Sequence, residues 1–534
     1  MIQLTRATGT IAIAMMALSM ASALAVVACD DGDGDGDGDS DVDIDADSDG
    51  DGDADSDGDG DADSDGDVDT DADADSDQDG DTDPISAPLR VHPDNPRYFI
   101  DGRGKAIRLA GHQIFVDLQD NSFNKPETYG HAAELDWSWY LDFASERHLN
   151  VIRNWIIWSA GSGTAAPPDA IAHPMMYERT GPATAADGLP AFDLTRFDDA
   201  FFDRLRSRVA DAEGRGIYVT IMLFEPYGFG PGEDEGGQTL WHGNVWRGEN
   251  NVNGIDVNND GNEWGTEFFY TTDPQVLDLQ RSFVDRVVDT VNDLDNVIYE
   301  VANEVYSPDW QMGIIEHIRE YEATKPSQHL IYMSPGGRNE SGGWTAHTKA
   351  QLVESGADLF GVSGSMGDYE HDPPVDDSGM PAIWDNDHIW GDDWTHHRRA
   401  WMAFTRGYHF IFYDHPFEAP DEESTEFETM RRNIGATNEY AERFADLARM
   451  NPHGELSSTG YCLADPGAEY LVYQPTSGEL TVELEAGTYD YEWFDCDAAA
   501  VSETGSVEVS GGAEPFTPPE SITADAALYL RSSP

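Results

Sequence analysis

The chain has 534 residues, 11% of them aromatic, enough for one large domain with an accessory one and a sizeable apolar core. Its formal net charge is −74, of which 28 units come from Asp residues alternating with Gly, Ser and Ala between Asp30 and Asp83, leaving about −46 on the rest. An acidic surface repels phosphate backbones, so nucleic acid is excluded as a natural partner, whereas neutral sugars are not.

At the N-terminus, Arg6 precedes an apolar run from Ile11 to Ala28 that reads as a secretory signal. Its end, Val26 to Cys29, resembles a bacterial lipobox. The resemblance implies lipid on Cys29 and an exported chain held at the outer surface of a membrane. A cleaved signal with a chance Cys is the alternative. No other stretch is apolar over the length a bilayer needs. The Asp/Gly/Ser/Ala tract over 30–84 has too few apolar residues to offset its ordering entropy. Charge repulsion extends it as a spacer, an alternative being loose collection of Ca2+.

From Arg90 the pattern turns into alternating strands and helices. The stretch 97–115 reads as a hairpin turning at Asp101–Gly102, then a first buried strand ending near His112. Seven further apolar runs follow, at 150–158, 217–224, 296–303, 330–334, 358–364, 381–387 and 409–414. Amphipathic stretches separate nearly all of them, the last running from about Glu428 to Met450. Continuous apolar strands belong to parallel sheets buried on both faces, and eight in alternation predict a (β/α)8 barrel over 85–455. An open doubly wound sheet is the alternative, but the first strand lacks the Gly-rich phosphate turn of the nucleotide-binding version. From 456 to 534 short alternating strands between Gly/Pro turns predict a small β-sandwich. Cys462 and Cys496 both lie there, and an exported location permits a disulfide between them, two buried thiols being the alternative.

Functional residues of such barrels sit at the C-terminal strand ends. Those ends carry His112, Arg153 with Trp155 and Trp158, Glu225, Asn303 with Glu304, Asp385 with Asp387 and His388, and Asp414. Tyr369 and Trp390 join His112, Arg153, Trp155, Asn303 and His388 as substrate-binding candidates. For Glu225 and Asp414 the preferred reading is structural, as anchors for an Arg, a His or loop amides. Converging carboxylates need a proton, a cation or a substrate that develops positive charge, and glycoside cleavage supplies the last.

The fourth strand ends in YEVANEV (299–305), and here the sequence resembles clan A of the glycoside hydrolases, whose fourth strand closes on Asn-Glu. The resemblance covers about Arg90 to Met450. It implies that Glu304 is the acid/base and that Asn303 contacts a sugar 2-hydroxyl. Retaining members carry a Glu nucleophile ending strand seven, commonly about five residues after a Pro. PAIWDNDHIWG (381–391) puts Asn386 at that place. Strand alternation sends Asp385 and Asp387 to one side and Asn386 to the other, leaving Asp385, or next Asp387, as the expected nucleophile. A barrel that has lost its nucleophile and only binds sugar is the alternative.

The loop 250–267 places Asp256, Asn258, Asp260, Gly261 and Glu267 in the D-x-N-x-D-G-x5-E spacing that wraps Ca2+. It is a candidate for a structural Ca2+, although turn-rich loops share that composition. A substrate-facing loop bearing Trp241, His242 and Trp246 is the preferred reading. No cofactor is expected for the chemistry itself. The C-terminal segment, in YCLADPGAEYLVYQP, YDYEWFD and ALYLR, resembles the β domain behind apiosidase-type barrels that is sometimes called collagen-binding. The expected function is that of a monomeric retaining hydrolase of an extracellular polysaccharide or oligosaccharide. The alternative is a surface-tethered carbohydrate- or matrix-binding protein.

Overall fold

A computed structural model describes residues 85–115, 117–120, 135–161, 172–230, 240–262, 264–341, 343–362, 371–386, 397–414 and 425–533. The expected signal, Cys29 and the spacer lie outside the described residues. So do Tyr369, Asp387, His388 and Trp390.

Eight parallel strands close into a barrel. They are β1 (Ala110–Gln113), β2 (Val151–Trp155), β3 (Tyr218–Phe224), β4 (Val297–Ala302), β5 (Leu330–Met333), β6 (Leu359–Gly361), β7 (Ala382–Asn386) and β8 (His409–Tyr413). Each pairs with its sequence neighbours, and β8 closes on β1 in the register Phe412↔His112. The helices that cover it include α1 (Trp137–Glu146), α2 (Asp199–Glu213), α3 (Pro274–Val291), α4 (Pro308–Glu322), α5 (Lys349–Val353), α6 (His397–Arg406) and α7 (Thr425–Arg443). Their starts are locally encoded: Asp136, Asp198 and Asp273 cap α1, α2 and α3 through side-chain oxygens that accept first-turn amides. Among the described residues no helix is long and apolar enough to cross a membrane.

Alternation along the strands sorts the interior into layers. Leu109, Val151, Tyr218, Ile298, Leu330, Leu359, Ile383 and Ile411 form one buried cluster at the bottom of the lumen. Leu89 and Phe99, from the short sheet built of Arg90–Val91, Phe99–Ile100 and Ala106–Ile107, join the same cluster and plug that end. Two residues further along the strands, the same parity reaches Arg153, Glu300, Tyr332 and Asp385. The polar layer therefore lies directly above the apolar plug.

A hairpin (Tyr177–Thr184 with Pro190–Phe197) occupies the β2–α2 connection. Beyond the barrel, a six-stranded antiparallel sheet from Asn451 to Ser532 faces a two-stranded one, Leu480–Leu484 with Gly512–Phe516. One face of the large sheet packs on the small sheet through Val472, Trp493, Leu528 and Phe516. Its other face supplies Leu471, Tyr473, Phe494 and Tyr529 to the barrel's own core.

The expected disulfide is not present: Cys462 and Cys496 are both free and buried. Cys462 belongs to the core between the two sheets, whereas Cys496 belongs to the core shared with the barrel, so the sheet separates the two thiols.

Candidate active site

The polar layer is organised by Arg153, which projects from β2 into the lumen and is 1% exposed. Its guanidinium donates from Nε to Glu300 Oε2 at 2.6 Å and from Nη2 to Glu300 Oε1, a forked pair across the barrel to β4. From Nη1 it reaches Gln113 Oε1 at 2.6 Å and Asp385 Oδ2 at 2.7 Å, and from Nη2 Asn303 Oδ1 at 2.9 Å. Gln113 closes the circuit by donating to Asp385 Oδ1 at 3.2 Å, and Trp155 Nε1 donates to Gln113 Oε1 at 3.1 Å. One cation thus joins β1, β2, β4 and β7 at a single height.

Electrostatics follow from that geometry. Burial by itself lowers the Arg153 pKa, but the charges of Asp385 and Glu300 outweigh it and raise it well above the ordinary value. Burial pushes the Glu300 carboxyl up, Arg153 pulls it down and Asp385 adds to the rise, leaving it raised. Two acids on one guanidinium form a network in which removing any member exposes a buried charge.

Glu304 stands just above this layer, partly exposed, with its backbone in the left-handed region at φ 44°. That conformation is costly for a non-glycine residue and persists only where surroundings enforce it. Here the enforcing element is a hairpin, Gly336–Arg338 with Trp344–Ala346, laid against the end of β4. Arg338 N donates to Glu304 O at 2.8 Å, and Tyr306 N donates to Arg338 O at 3.0 Å. A Cβ on Gly337 would stand 1.7 Å from the Glu304 carbonyl, so only glycine permits this approach.

Of the residues picked from the sequence, Arg153, Trp155, Asn303 and Asp385 meet in this polar layer, with Glu304 following Asn303 at the C-terminal mouth above it. His112 does not. It is fully buried, stacks on Tyr140 of α1 at 5.1 Å and hydrogen-bonds Asp414 through Nδ1 at 3.1 Å. Arg431 of α7 completes that site with two bonds of 2.7 Å to Asp414. The pleat explains the correction: β1 turns Gln113 inward and His112 outward to the helix layer.

Glu225 and Asp414 are anchors rather than rim groups. Glu225 is 1% exposed and accepts from Gly228 N at 2.9 Å and Trp158 N at 3.4 Å. Burial raises its carboxyl to about 8 against those amides. Burial alone would raise Asp414 too, but Arg431 and His112 outweigh it and hold it below its ordinary value.

Trp241 and Trp246 correct the reading of a substrate-facing loop. They are 3% and 0% exposed, packed with Trp158, Phe229 and Phe268 in an aromatic cluster outside the barrel wall. In the calcium-type loop one oxygen of each acidic side chain accepts from the loop's own amides, while Glu267 Oε2 is buried without a hydrogen-bond partner among the described residues. Asp256 Oδ1 accepts from Asn258 N at 3.1 Å, Asp260 Oδ1 from Asn262 N at 2.9 Å, and Glu267 Oε1 from Asn259 N at 3.0 Å. Among the described residues, the group of acidic and imidazole ligand atoms within 4.8 Å of one another is instead His397, Asp497 and Asp525. There His397 Nε2 and Asp525 Oδ1 pair at 3.2 Å where α6 meets the β domain.

Two members of the polar layer, Gln113 and Glu300, escaped the sequence reading. Glu300 had a signal, as the one charge inside the apolar run VIYEVA.

The architecture defines a (β/α)8 barrel followed by a β-rich domain, and comparisons with known proteins agree. Residues 170–338 match a family described as a domain of unknown function (DUF6298), spanning β3, β4, β5 and the first strand of the hairpin that holds Glu304. No curated protein matches the chain. Among solved structures, the fold resembles one described as a glycoside hydrolase, with TM-score 0.52 and 12% identity over 84% of this chain and 97% of that one. It also resembles a putative glycoside hydrolase from Bacteroides vulgatus, with TM-score 0.55 and 13% identity over 84% and 82%. A family 5 glycoside hydrolase from the same organism aligns with TM-score 0.52 and 11% identity over 84% and 93%. At these identities the likeness establishes the fold.

Proposed function

We propose that this protein is a retaining glycoside hydrolase of an extracellular polysaccharide or oligosaccharide, with Glu304 as acid/base and Asp385 as nucleophile. The observation that carries the reading is the Arg153 guanidinium, which bonds both the Asn303 side chain and the Asp385 carboxylate beneath the mouth where Glu304 stands. Asp387 is the second candidate nucleophile.

In the first step an Asp385 oxygen attacks the anomeric carbon while Glu304 gives its proton to the departing glycosidic oxygen. A glycosyl ester on Asp385 results. In the second step Glu304, now a carboxylate, takes a proton from water, whose oxygen attacks the same carbon and releases Asp385. Asn303 would hold the 2-hydroxyl, and Arg153 would orient Asp385. The reading extends to an exported, monomeric protein tethered by lipid on Cys29, with the Asp-rich tract as its spacer.

One observation favours a second reading, a barrel that only binds sugar. Both Asp385 oxygens are already engaged, Oδ1 by Gln113 and Oδ2 by Arg153.

The deciding experiment measures new reducing ends from a panel of plant and algal glycans, using wild type, Glu304→Gln and Asp385→Asn. Hydrolysis predicts release by wild type and a loss of about 1,000-fold or more in each variant, from removal of a proton donor or a nucleophile. Glycan binding by wild type without release from any member would establish the second reading.

A further inference from the structure

Three aromatic side chains stand exposed among the described residues: Trp139, Tyr227 and Trp344, at 51%, 44% and 54%. Trp139 lies on α1 against Phe143, outside the barrel wall. The other two follow the C-terminal ends of barrel strands, Trp344 on the hairpin that bonds the Glu304 backbone and Tyr227 in the turn after β3.

Trp344 belongs to the hairpin that fixes the Glu304 backbone and pairs directly with Arg338. The hairpin is well braced. Asn339 accepts from Ser341 N and Gly343 N at 3.0 Å each, and donates to Thr345 Oγ1 at 2.8 Å. Its contact with Glu304 is the glycine-only approach of Gly337. Arg338 and Trp344, as direct cross-strand partners, leave the same face of the hairpin. From that face the Arg338 side chain reaches Gly230, with its Cδ 4.0 Å from where a Cβ there would be. Gly230 ends the turn Tyr227–Phe229 that follows β3, and this turn carries the other exposed ring.

Single exposed aromatics need no explanation. Two of three on one rim, carried by segments that Arg338 links, do call for one. The apolar C–H face of a pyranose ring is a ligand that an indole can cover while the sugar hydroxyls stay in water.

We propose that Trp344, with Tyr227 beyond Arg338, is an aromatic platform for a sugar residue on the leaving-group side of the cleavage point, next to Glu304. The proposal rests on the hydrolase reading above and adds a substrate class to it: chains that continue past the cleaved bond, rather than single terminal sugars. Trp344 is a specificity residue, not a member of the reacting set.

The test compares full-length wild type, Trp344→Ala and Trp344→Phe. The substrates are gluco-, manno-, xylo- and galacto-oligosaccharides of two to six units, beside the matching glycosyl fluorides, which place only fluoride on the leaving-group side. Binding of the oligosaccharides to the same changes in a Glu304→Gln background is measured in parallel. Expected for Trp344→Ala is a KM, and a Kd in the inactive background, raised about ten-fold for the longer chains, with shifted cleavage products. Its kinetics on the glycosyl fluorides, whose leaving group carries no ring to stack, should stay at the wild-type level, and Trp344→Phe should restore most of the loss. A structural role would lower both substrate classes together and would not be rescued by a smaller ring. Equal KM and Kd for wild type and Trp344→Ala on every chain that wild type cleaves overturns the platform and leaves the hydrolase reading intact. Absence of both cleavage and binding in the parent proteins removes the two together.

Discussion

Glu225 shows how a carboxyl at a barrel strand end can be structural. It closes the turn after β3 by accepting backbone amides, and burial lifts its pKa to about 8. The folded protein therefore keeps the proton to a pH at which the unfolded chain, near 4.5, has long lost it. The sign follows directly: this group favours folding fully below about 4.5, and that contribution drains away as pH rises toward about 8. Glu225→Gln removes the titration. Its melting temperature relative to wild type should rise by on the order of 5 °C between pH 5 and pH 8. Parallel melting curves across that range would mean that Glu225 is ionised in the fold. The same residue scale separates what the sequence revealed from what it hid. Arg153, Asn303 and Glu304 were legible because strand ends of a barrel point at its mouth. His112 was taken for Gln113 because its strand boundary was known only to within a residue or two, and one residue reverses the face. Glu300 was passed over because its place is below the mouth, where only the partnership with Arg153 makes a charge tolerable.

At the scale of elements, the eight barrel strands were readable because burial on both faces demands continuous apolar runs, which few other structures do. The hairpin over 336–346 carries no such demand. Its sequence, GGRNESGGWTA, is short, polar and glycine-rich, and its purpose appears only where it touches Glu304. The strain at Glu304, φ 44°, is maintained by the Arg338–Glu304 bond and the close approach of Gly337. Gly337→Ala places a methyl group where the Glu304 carbonyl lies, so either the hairpin or the strand end must move. On the hydrolase reading proposed for Glu304, a displacement of about 1 Å at that group costs on the order of 100-fold in rate. The variant should therefore keep a single cooperative melt, lowered by a few degrees at about 1–3 kcal/mol for the backbone clash, while kcat on the best glycan of the panel falls by about that factor. Unchanged kcat would show that the hairpin does not position Glu304.

For the whole molecule, the question is whether the β domain is an attachment or part of the barrel's fold. Its large sheet is buried on both faces, and the barrel-side face contributes rings to one continuous core. Trp401 of α6 stacks on Tyr473 at 6.4 Å and meets Phe494 at 5.3 Å, while Tyr440 of α7 packs on Tyr529 at 5.7 Å. Polar links frame this patch: Tyr440 Oη donates to Glu492 at 2.6 Å, Asn433 to the Cys496 carbonyl at 2.8 Å, and Ala445 N to Glu469 at 2.8 Å. At Asp525 burial alone would raise the carboxyl, but His397, Tyr473 and Arg398 outweigh it and hold it below its ordinary value. Interfaces inside one chain are commonly polar and permit motion between domains; a large apolar one couples the domains instead. The barrel and β domain should therefore unfold in one calorimetric transition, with the calorimetric and van't Hoff enthalpies agreeing. A chain ending at residue 455 would expose Trp401, Tyr440 and Phe444 together, and should be insoluble or melt about 10 °C or more below the full chain. Two resolved transitions, with a truncated barrel as stable as the intact protein, would show that the β domain is an independent module instead.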